Sequence, residues 1–100
     1  MINDSPNSIK YLLSIPYPNP FNSRKTFYYG VPKNQLVNIT IYDVMGKQVK
    51  ELVNRLQNIG YKSISWNGYS DDDSLVAGGL YYYTMKAGNF RQNREIVLLR

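Results

Sequence analysis

The sequence predicts an all-β fold, an antiparallel β-sandwich of about seven strands. Segments rich in β-branched and aromatic residues recur at short spacing, and Gly, Pro and Asn separate them. Some segments alternate strictly, and Val37, Ile39 and Ile41 mark one apolar face of such a strand. The 100 residues are 43% hydrophobic and include ten Tyr, which is enough to fill the core of one small domain.

The composition excludes most catalytic chemistry. The chain has no His and no Cys, so it has no His-based triad, no thiol nucleophile and no Cys or His zinc site. A glycosidase needs two carboxylates across a cleft, whereas Asp43, Glu51 and Glu95 are scattered along the chain. We therefore predict that the protein is not an enzyme and carries no cofactor.

The charge pattern argues against nucleic-acid binding. The formal net charge is +5, but no run of basic residues exceeds the pair at Arg24 and Lys25. Such dispersed charge is typical of a solvated surface. The longest aliphatic run, Ile96–Leu99, is far shorter than the roughly 20 residues of a membrane-spanning helix, and the N-terminus lacks the apolar region of a signal peptide. We expect no membrane insertion.

The N-terminal residues predict a linker followed by the domain. Residues 1–8 are mostly Asn, Asp, Ser and Pro. This composition indicates a linker, or a terminal remnant on a domain excised from a larger protein. The domain then covers residues 9–100. Its first plausible strand is Ile9–Ser14.

Three prolines at positions 16, 18 and 20 follow that strand. They exclude a helix and cannot donate to a central ladder, so they predict a stiff extended edge or a turn that leaves Tyr17 and Phe21 free to point inward. The β-branched and aromatic segment Thr26–Gly30 predicts the next strand. Leu36–Tyr42 predicts a half-buried strand, and a turn at Asp43–Lys47 follows it.

Residues 48–56 fit two structures. Their four apolar residues recur at helical spacing: Val49, Leu52, Val53 and Leu56. A strand fits less well, because Val49 and Val53 would then share a face with Glu51. The local pattern alone favours a helix, although tertiary context can override it.

The C-terminal half predicts three strands. Tyr61–Trp66 alternates and supplies Trp66 as the natural core anchor, and Asn67-Gly68 is a strong turn signal. After a loop, Leu80–Ala87 and Phe90–Leu99 predict a hairpin. In the first of these strands either Tyr81, Tyr83 and Met85 or the opposite set, Leu80 and Tyr82, must be core.

Eight short motifs occur in a fixed order over the last five sixths of the chain. They are Tyr17-Pro18-Asn19-Pro20-Phe21-Asn22, Ile41-Tyr42-Asp43-Val44-Met45-Gly46, Leu52-Val53-Asn54, Gly60-Tyr61, Trp66-Asn67-Gly68, Val76-Ala77-Gly78-Gly79-Leu80-Tyr81-Tyr82-Tyr83, Ala87-Gly88 and Ile96-Val97-Leu98-Leu99-Arg100. In this order they resemble the type A C-terminal sorting domain of type IX secretion cargo. They are also similar to the immunoglobulin-like domain of the flagellar hook-cap protein.

The resemblance implies a seven-strand immunoglobulin-like sandwich, in which Gln48–Val53 is a strand rather than a helix. It also implies a function. The domain would address a passenger protein to an outer-membrane translocon, and a surface sortase would cut it off within Asn3–Ser8. The passenger would cross the periplasm and reach the cell surface or the medium. The alternative is a carbohydrate-binding or structural immunoglobulin-like module of a secreted enzyme.

The resemblance also designates particular residues. The family signature comprises Pro18, Asn19, Pro20, Gly46, Trp66, Gly68, Gly79 and Tyr81. The candidates for recognition by the translocon are Arg94, Ile96, Val97, Leu98, Leu99 and Arg100.

Two further groups of residues have a structural and a functional interpretation. Asp71, Asp72 and Asp73 form the only dense carboxylate group, which suits either Ca²⁺ or the capping of backbone N–H groups in a loop. Capping is the expected role, and no metal site is predicted. The tyrosines suit the core and rim of a sandwich. The alternative is a sugar platform built from Tyr28, Tyr42, Tyr69 or Tyr82.

Overall fold

The computed structural model describes residues 8–18 and 24–99, and their regular structure consists of β-strands. Among these residues no helix is long and apolar enough to cross a membrane. The strands are β1 (Leu12–Leu13), β2 (Tyr17–Pro18), β3 (Lys25–Val31), β4 (Gln35–Tyr42), β5 (Gln48–Gln57), β6 (Gly60–Trp66), β7 (Gly79–Ala87) and β8 (Phe90–Leu98).

The strands form two antiparallel sheets. In the first sheet β6 pairs with the whole of β3, from Lys25 opposite Trp66 to Val31 opposite Gly60. Since β6 fills that side, β1 and β2 lie on the other side of β3 as two short pieces of one edge strand. The second sheet has the order β5-β4-β7-β8. With β1 and β2 taken together, the described residues form seven strand positions, as predicted.

The core lies between the two sheets. Its fully buried members include Trp66 and the predicted inner face of β4. On β7 the buried set is Tyr81, Tyr83 and Met85, while Tyr82 lies on the solvent face. The buried apolar residues are Leu13, Phe27, Tyr29, Val31, Val37, Ile39, Ile41, Val53, Trp66, Tyr81, Tyr83, Met85, Ala87, Ile96 and Leu98.

Two β-bulges explain the helical spacing in β5. The strand runs to Gln57, four residues beyond the predicted end at Val53. Its register with β4 shifts twice, because Leu52 and Val49 are extra residues with no partner opposite them. Each extra residue offsets the strict alternation of a strand. Leu52 and Val49 therefore both pack against the core, although neither follows period two.

The N-terminal segment departs from its prediction in two respects. The strand within Ile9–Ser14 is only β1. Tyr17, which the sequence left free to point inward, points outward instead. Tyr17 pairs with Thr26, which faces away from the core, and cross-strand partners share a face. Its ring is 63% exposed and packs edge-on against Tyr28 with centroids 5.6 Å apart. Phe21 lies outside the described residues.

Candidate functional site

The C-terminal strand β8 carries most of the residues predicted to be recognised by a translocon. Its side chains alternate between the two faces of the second sheet. Ile96 and Leu98 are buried in the core, whereas Val97 is 54% exposed and Leu99, just after the strand, is 78% exposed. Arg100 lies outside the described residues. Of the described apolar candidates, only Val97 and Leu99 present side chains to a partner of the folded domain.

Arg94 connects the C-terminal strand to the N-terminal segment. Its Nε donates a hydrogen bond to the backbone oxygen of Leu13 over 2.5 Å. Leu13 is fully buried, and Arg94 is itself half-buried. The guanidinium predicted to contact a translocon therefore already holds β1 across the sandwich.

Tyr83 makes a second connection to the same segment. Its hydroxyl donates to the backbone oxygen of Ser14 over 2.8 Å, and its ring packs on Phe27 with centroids 4.5 Å apart. Burial raises the pKa of Tyr83 to about 12, and the nearby charge of Arg94 partly opposes the shift. The hydroxyl is therefore a stable donor at neutral pH.

Three more side chains hold the beginning of this segment. Tyr11 stacks on Phe90 with centroids 4.7 Å apart and hydrogen-bonds Gln35. The hydroxyl of Tyr61 accepts a hydrogen bond from the backbone N–H of Lys10. Residues 10–14 are thus fixed by side chains of both sheets. We call residues 10–14 the N-terminal strap.

The aromatic signature residues form one structural unit. Tyr81, near the start of β7, donates through its hydroxyl to the backbone oxygen of Ala77 over 2.5 Å. This is the tyrosine corner of immunoglobulin-like sandwiches. Trp66 packs edge-on against Tyr81 with centroids 5.5 Å apart, and its indole N–H donates to the oxygen of Tyr69. Both residues fix the loop between β6 and β7.

The remaining signature residues that the structure describes lie at turns, at the start of β7 or in the edge strand. Gly46 and Gly68 adopt φ values of +83° and +82°, which favour glycine, and Gly79 begins β7. Pro18 belongs to β2, where a missing N–H is tolerated at a sheet edge. Asn19 and Pro20 lie outside the described residues.

The acidic loop uses its carboxylates to organise the backbone. Asp71 accepts hydrogen bonds from the side chain of Gln48 and from the N–H of Glu51, at 2.9 and 3.0 Å, and its own N–H donates to Val49. The hydrogen bond from Gln48 is the main cause that lowers the pKa of Asp71, and the bond from Glu51 adds to it. Asp71 thus occupies two backbone groups at the edge of β5.

Asp72 has a similar local role. It accepts hydrogen bonds from the hydroxyl of Ser70 and from the N–H of Ser74, and these bonds lower its pKa. Asp73 adopts φ +64° in the turn. Within the described ranges no group of three or more acidic, His or Cys side chains could hold a metal ion.

The four candidate sugar-binding tyrosines lie in three places. Tyr28 faces solvent on the first sheet, and Tyr69 follows β6. Tyr42 and Tyr82 are cross-strand partners on the second sheet. They line an open depression of about 420 Å³ together with Thr84, Arg91 and Asn93, among others. Tyr42 and Tyr82 are thus the two of the four candidates that the structure brings together on one surface.

Sequence reasoning missed Gly30. A Cβ atom there would lie 2.1 Å from the backbone oxygen of Lys10. The backbone of the strap therefore occupies the space that a side chain at position 30 would need. A glycine inside a strand pattern is the signal that indicates such an approach. The role of Asp71 as a cap on one particular strand had no comparable signal, because its partners lie about 20 residues away.

The fold and these contacts define an immunoglobulin-like β-sandwich module. The comparisons with known proteins agree. The profile of the FlgD Ig-like domain matches residues 26–90, so the chain belongs to the FlgD Ig-like domain family. This family comprises structural domains without catalytic activity.

Among solved structures, a crystal structure of FlgD from P. aeruginosa is similar, with a TM-score of 0.58 and 19% sequence identity. The match covers 75% of this chain and 59% of the FlgD chain, and at this identity it shows the fold. A search of curated proteins finds no match.

Proposed function

We propose that the domain is a secretion address for the type IX route. An outer-membrane translocon binds it on an exported passenger protein, and a surface sortase then removes it. The passenger crosses the periplasm and ends at the cell surface or outside the cell. The ordered motifs that resemble type A sorting domains support this proposal.

The position and exposure of the C-terminal strand carry the proposal. β8 is the edge of its sheet, so a partner can approach it without disturbing the core. Val97 and Leu99 expose apolar side chains that the core does not need. Exposed apolar residues next to an open sheet edge are typical of a contact surface.

The other signature residues support the fold rather than the address. Trp66, Tyr81 and Gly68 fix the loop between β6 and β7, and a buried Trp with a tyrosine corner is a hallmark of immunoglobulin-like sandwiches. Family membership therefore favours a second candidate function. The domain would then be a structural module that contacts only protein neighbours, as the resemblance to the hook-cap protein implies.

A reporter fusion separates the two functions. Residues 3–100 are attached to the C-terminus of an inert periplasmic protein in a Gram-negative host that has type IX secretion. Deleting residues 95–100 is a poor test, since it removes Ile96 and Leu98 from the core. Leu99→Asp and Leu56→Asp are better, because both leucines are 78% exposed and they lie on opposite edges of the same sheet.

The sorting function predicts that the unchanged fusion and Leu56→Asp reach the medium or the cell surface while Leu99→Asp stays in the periplasm. Fluorescence of Trp66 and circular dichroism of the purified domains show whether each variant is folded. Retention of every fusion, with all domains folded, would favour the structural module. The mass of the exported reporter locates the cut, which we expect within Asn3–Ser8.

A further inference from the structure

The outer edge of β8 presents a row of free backbone groups. β8 pairs with β7 over nine residues without a shift in register, and Gly88 and Asn89 form the turn between them. The pair that flanks a two-residue turn is hydrogen-bonded, and hydrogen-bonded and non-hydrogen-bonded pairs alternate from there. The N–H and C=O groups of four residues therefore point away from β7: Arg91, Asn93, Glu95 and Val97.

Two other sheet edges are protected against an added strand, whereas the outer edge of β8 is not. On β5 two bulges interrupt the ladder, and Asp71 bonds the backbone of Val49 and Glu51. The edge of the first sheet next to β3 consists only of β1 and β2, which are two residues long each and offer little ladder to an added strand. β8 contains neither a bulge nor a proline, and its outward backbone groups make no hydrogen bond within the described residues. A long regular edge of this kind is what an added strand pairs with.

The remaining edge strand, β6, is a poorer docking site for an added strand than β8. It is two residues shorter than β8, and Ser63 and Ser65 lie on its solvent face. Its only aromatic residue on that face, Tyr61, is engaged with the strap. β6 therefore lacks the apolar side chains that would fix the register of an added strand.

The side chains beside β8 differ between its two ends. Near the C-terminal end Val97 pairs with Leu80, and the two are 54% and 37% exposed on the solvent face. Near the turn lies Arg91, whose side chain has no hydrogen-bond or ion-pair partner within the described residues. The two ends are six residues apart, which is about 20 Å along a strand.

We propose that β8 is a docking strand on which an extended segment of a partner protein adds as a further strand. The partner segment places an apolar side chain against Val97, which Leu80 flanks on the other side, and an acidic side chain against Arg91. A second copy of the chain is a poor occupant. Antiparallel self-pairing centred on Arg94 would set Arg91 against Val97, and each copy carries a net charge of +5. The inference goes beyond the sorting role, because it holds for a structural module as well.

The test supplies the partner strand in cis. A flexible Gly and Ser linker and a probe strand as long as β8 are added after residue 100. The probe alternates Val and Thr and ends in two Asp, so in an antiparallel arrangement its acidic end reaches Arg91. The linker keeps the probe at an effective concentration of about 1 mM. Amide hydrogen exchange of Arg91, Glu95 and Val97 then reports strand addition, and we expect exchange at least about tenfold slower than in the unfused chain.

Matched variants separate backbone pairing from other effects. Asn93→Pro removes one outward N–H at a position where an edge strand tolerates proline, and Asn93→Ala keeps that N–H. Both variants lose the same side-chain hydrogen bond, which Thr84 donates to Asn93. We expect protection to persist in Asn93→Ala and to disappear in Asn93→Pro. If Asn93→Pro fails to fold, Arg91→Glu serves instead. It should weaken protection by the Asp-ended probe and strengthen protection by a Lys-ended probe.

Three results would overturn the proposal. The fused probe could leave exchange unchanged, or Asn93→Pro could be protected as well as Asn93→Ala while folded. Protection of the unfused chain that grows with protein concentration would assign the edge to a second copy. None of these outcomes depends on export, so the sorting role can fail while the docking strand holds.

Discussion

Replacing Arg94 by Met tests whether the C-terminal strand holds the N-terminal strap in place. Arg94 Nε lies 2.5 Å from the backbone oxygen of Leu13, a residue with no exposed surface. Met keeps much of the aliphatic stem that packs against the core and removes only the charged donor. The variant therefore isolates one hydrogen bond between the two ends of the chain.

The expected loss of stability follows from that geometry. A hydrogen bond to a charged group contributes about 1.5–3 kcal/mol, and removing its donor leaves the buried oxygen of Leu13 without this partner. We expect the free energy of unfolding to fall by about 2 kcal/mol. With a urea m-value in the range of about 1–3 kcal/mol/M, the midpoint shifts down by roughly 1 M.

Urea unfolding followed by Trp66 fluorescence measures the global effect, and hydrogen exchange of residues 10–14 measures the local one. Arg91→Met is the matched control, since Arg91 lies on the same strand but faces solvent. The control should change stability by less than about 0.5 kcal/mol. Equal effects of the two variants, or unchanged exchange of the strap in Arg94→Met, would refute the assigned role of Arg94.

Three further predictions concern the fold. Tyr81→Phe removes the corner hydrogen bond and should cost about 1 kcal/mol in urea unfolding, and an unchanged midpoint would contradict its role. Gly30→Ala places a Cβ where the oxygen of Lys10 lies, so we expect a loss of about 1–3 kcal/mol and faster exchange in β1. Faster exchange confined to other strands would argue against that contact. The fold lowers the pKa of Asp71. The ionised carboxylate therefore stabilises the fold at pH values above its unfolded pKa of about 3.9. This stability is lost as the pH falls through the lower pKa of the folded state. Asp71→Asn should therefore be less stable than the unchanged chain at pH 7 and should lose less stability on acidification, whereas parallel pH profiles would exclude the effect.

Most of the fold could be predicted because its signals are local. The alternation of β4, the turn residue Gly46 and the aromatic stretch of β7 each indicate their own structure within a few residues. The helical spacing in β5 misleads for a physical reason. Bulges at Leu52 and Val49 change which residues face the core, and only the register with β4 shows them.

The candidate site was less predictable because its contacts are distant in sequence. Arg94 and Leu13 are 81 residues apart, and Tyr83 and Ser14 are 69 apart. The hydrophobic pattern of residues 96–99 does indicate a strand, but it cannot show that the strand lies at a sheet edge. The face of the sheet to which each side chain points, rather than residue type, separates the exposed candidates from those that fill the core.

The short ladder of β1 determines how the domain responds to a pulling force. β1 has two ladder pairs with β3, whereas β6 has seven with β3 and β8 has nine with β7. Tension applied at the N-terminal end first loads the contacts of Lys10 and Tyr11. It then loads the two β1 pairs and the bonds from Tyr83 and Arg94, before it reaches the rest of the sandwich. The strap should yield first, and each freed residue lengthens the chain by up to roughly 3.5 Å. Under a small pulling force the strap would thus detach and lengthen the chain, while the strands of the two sheets stay paired.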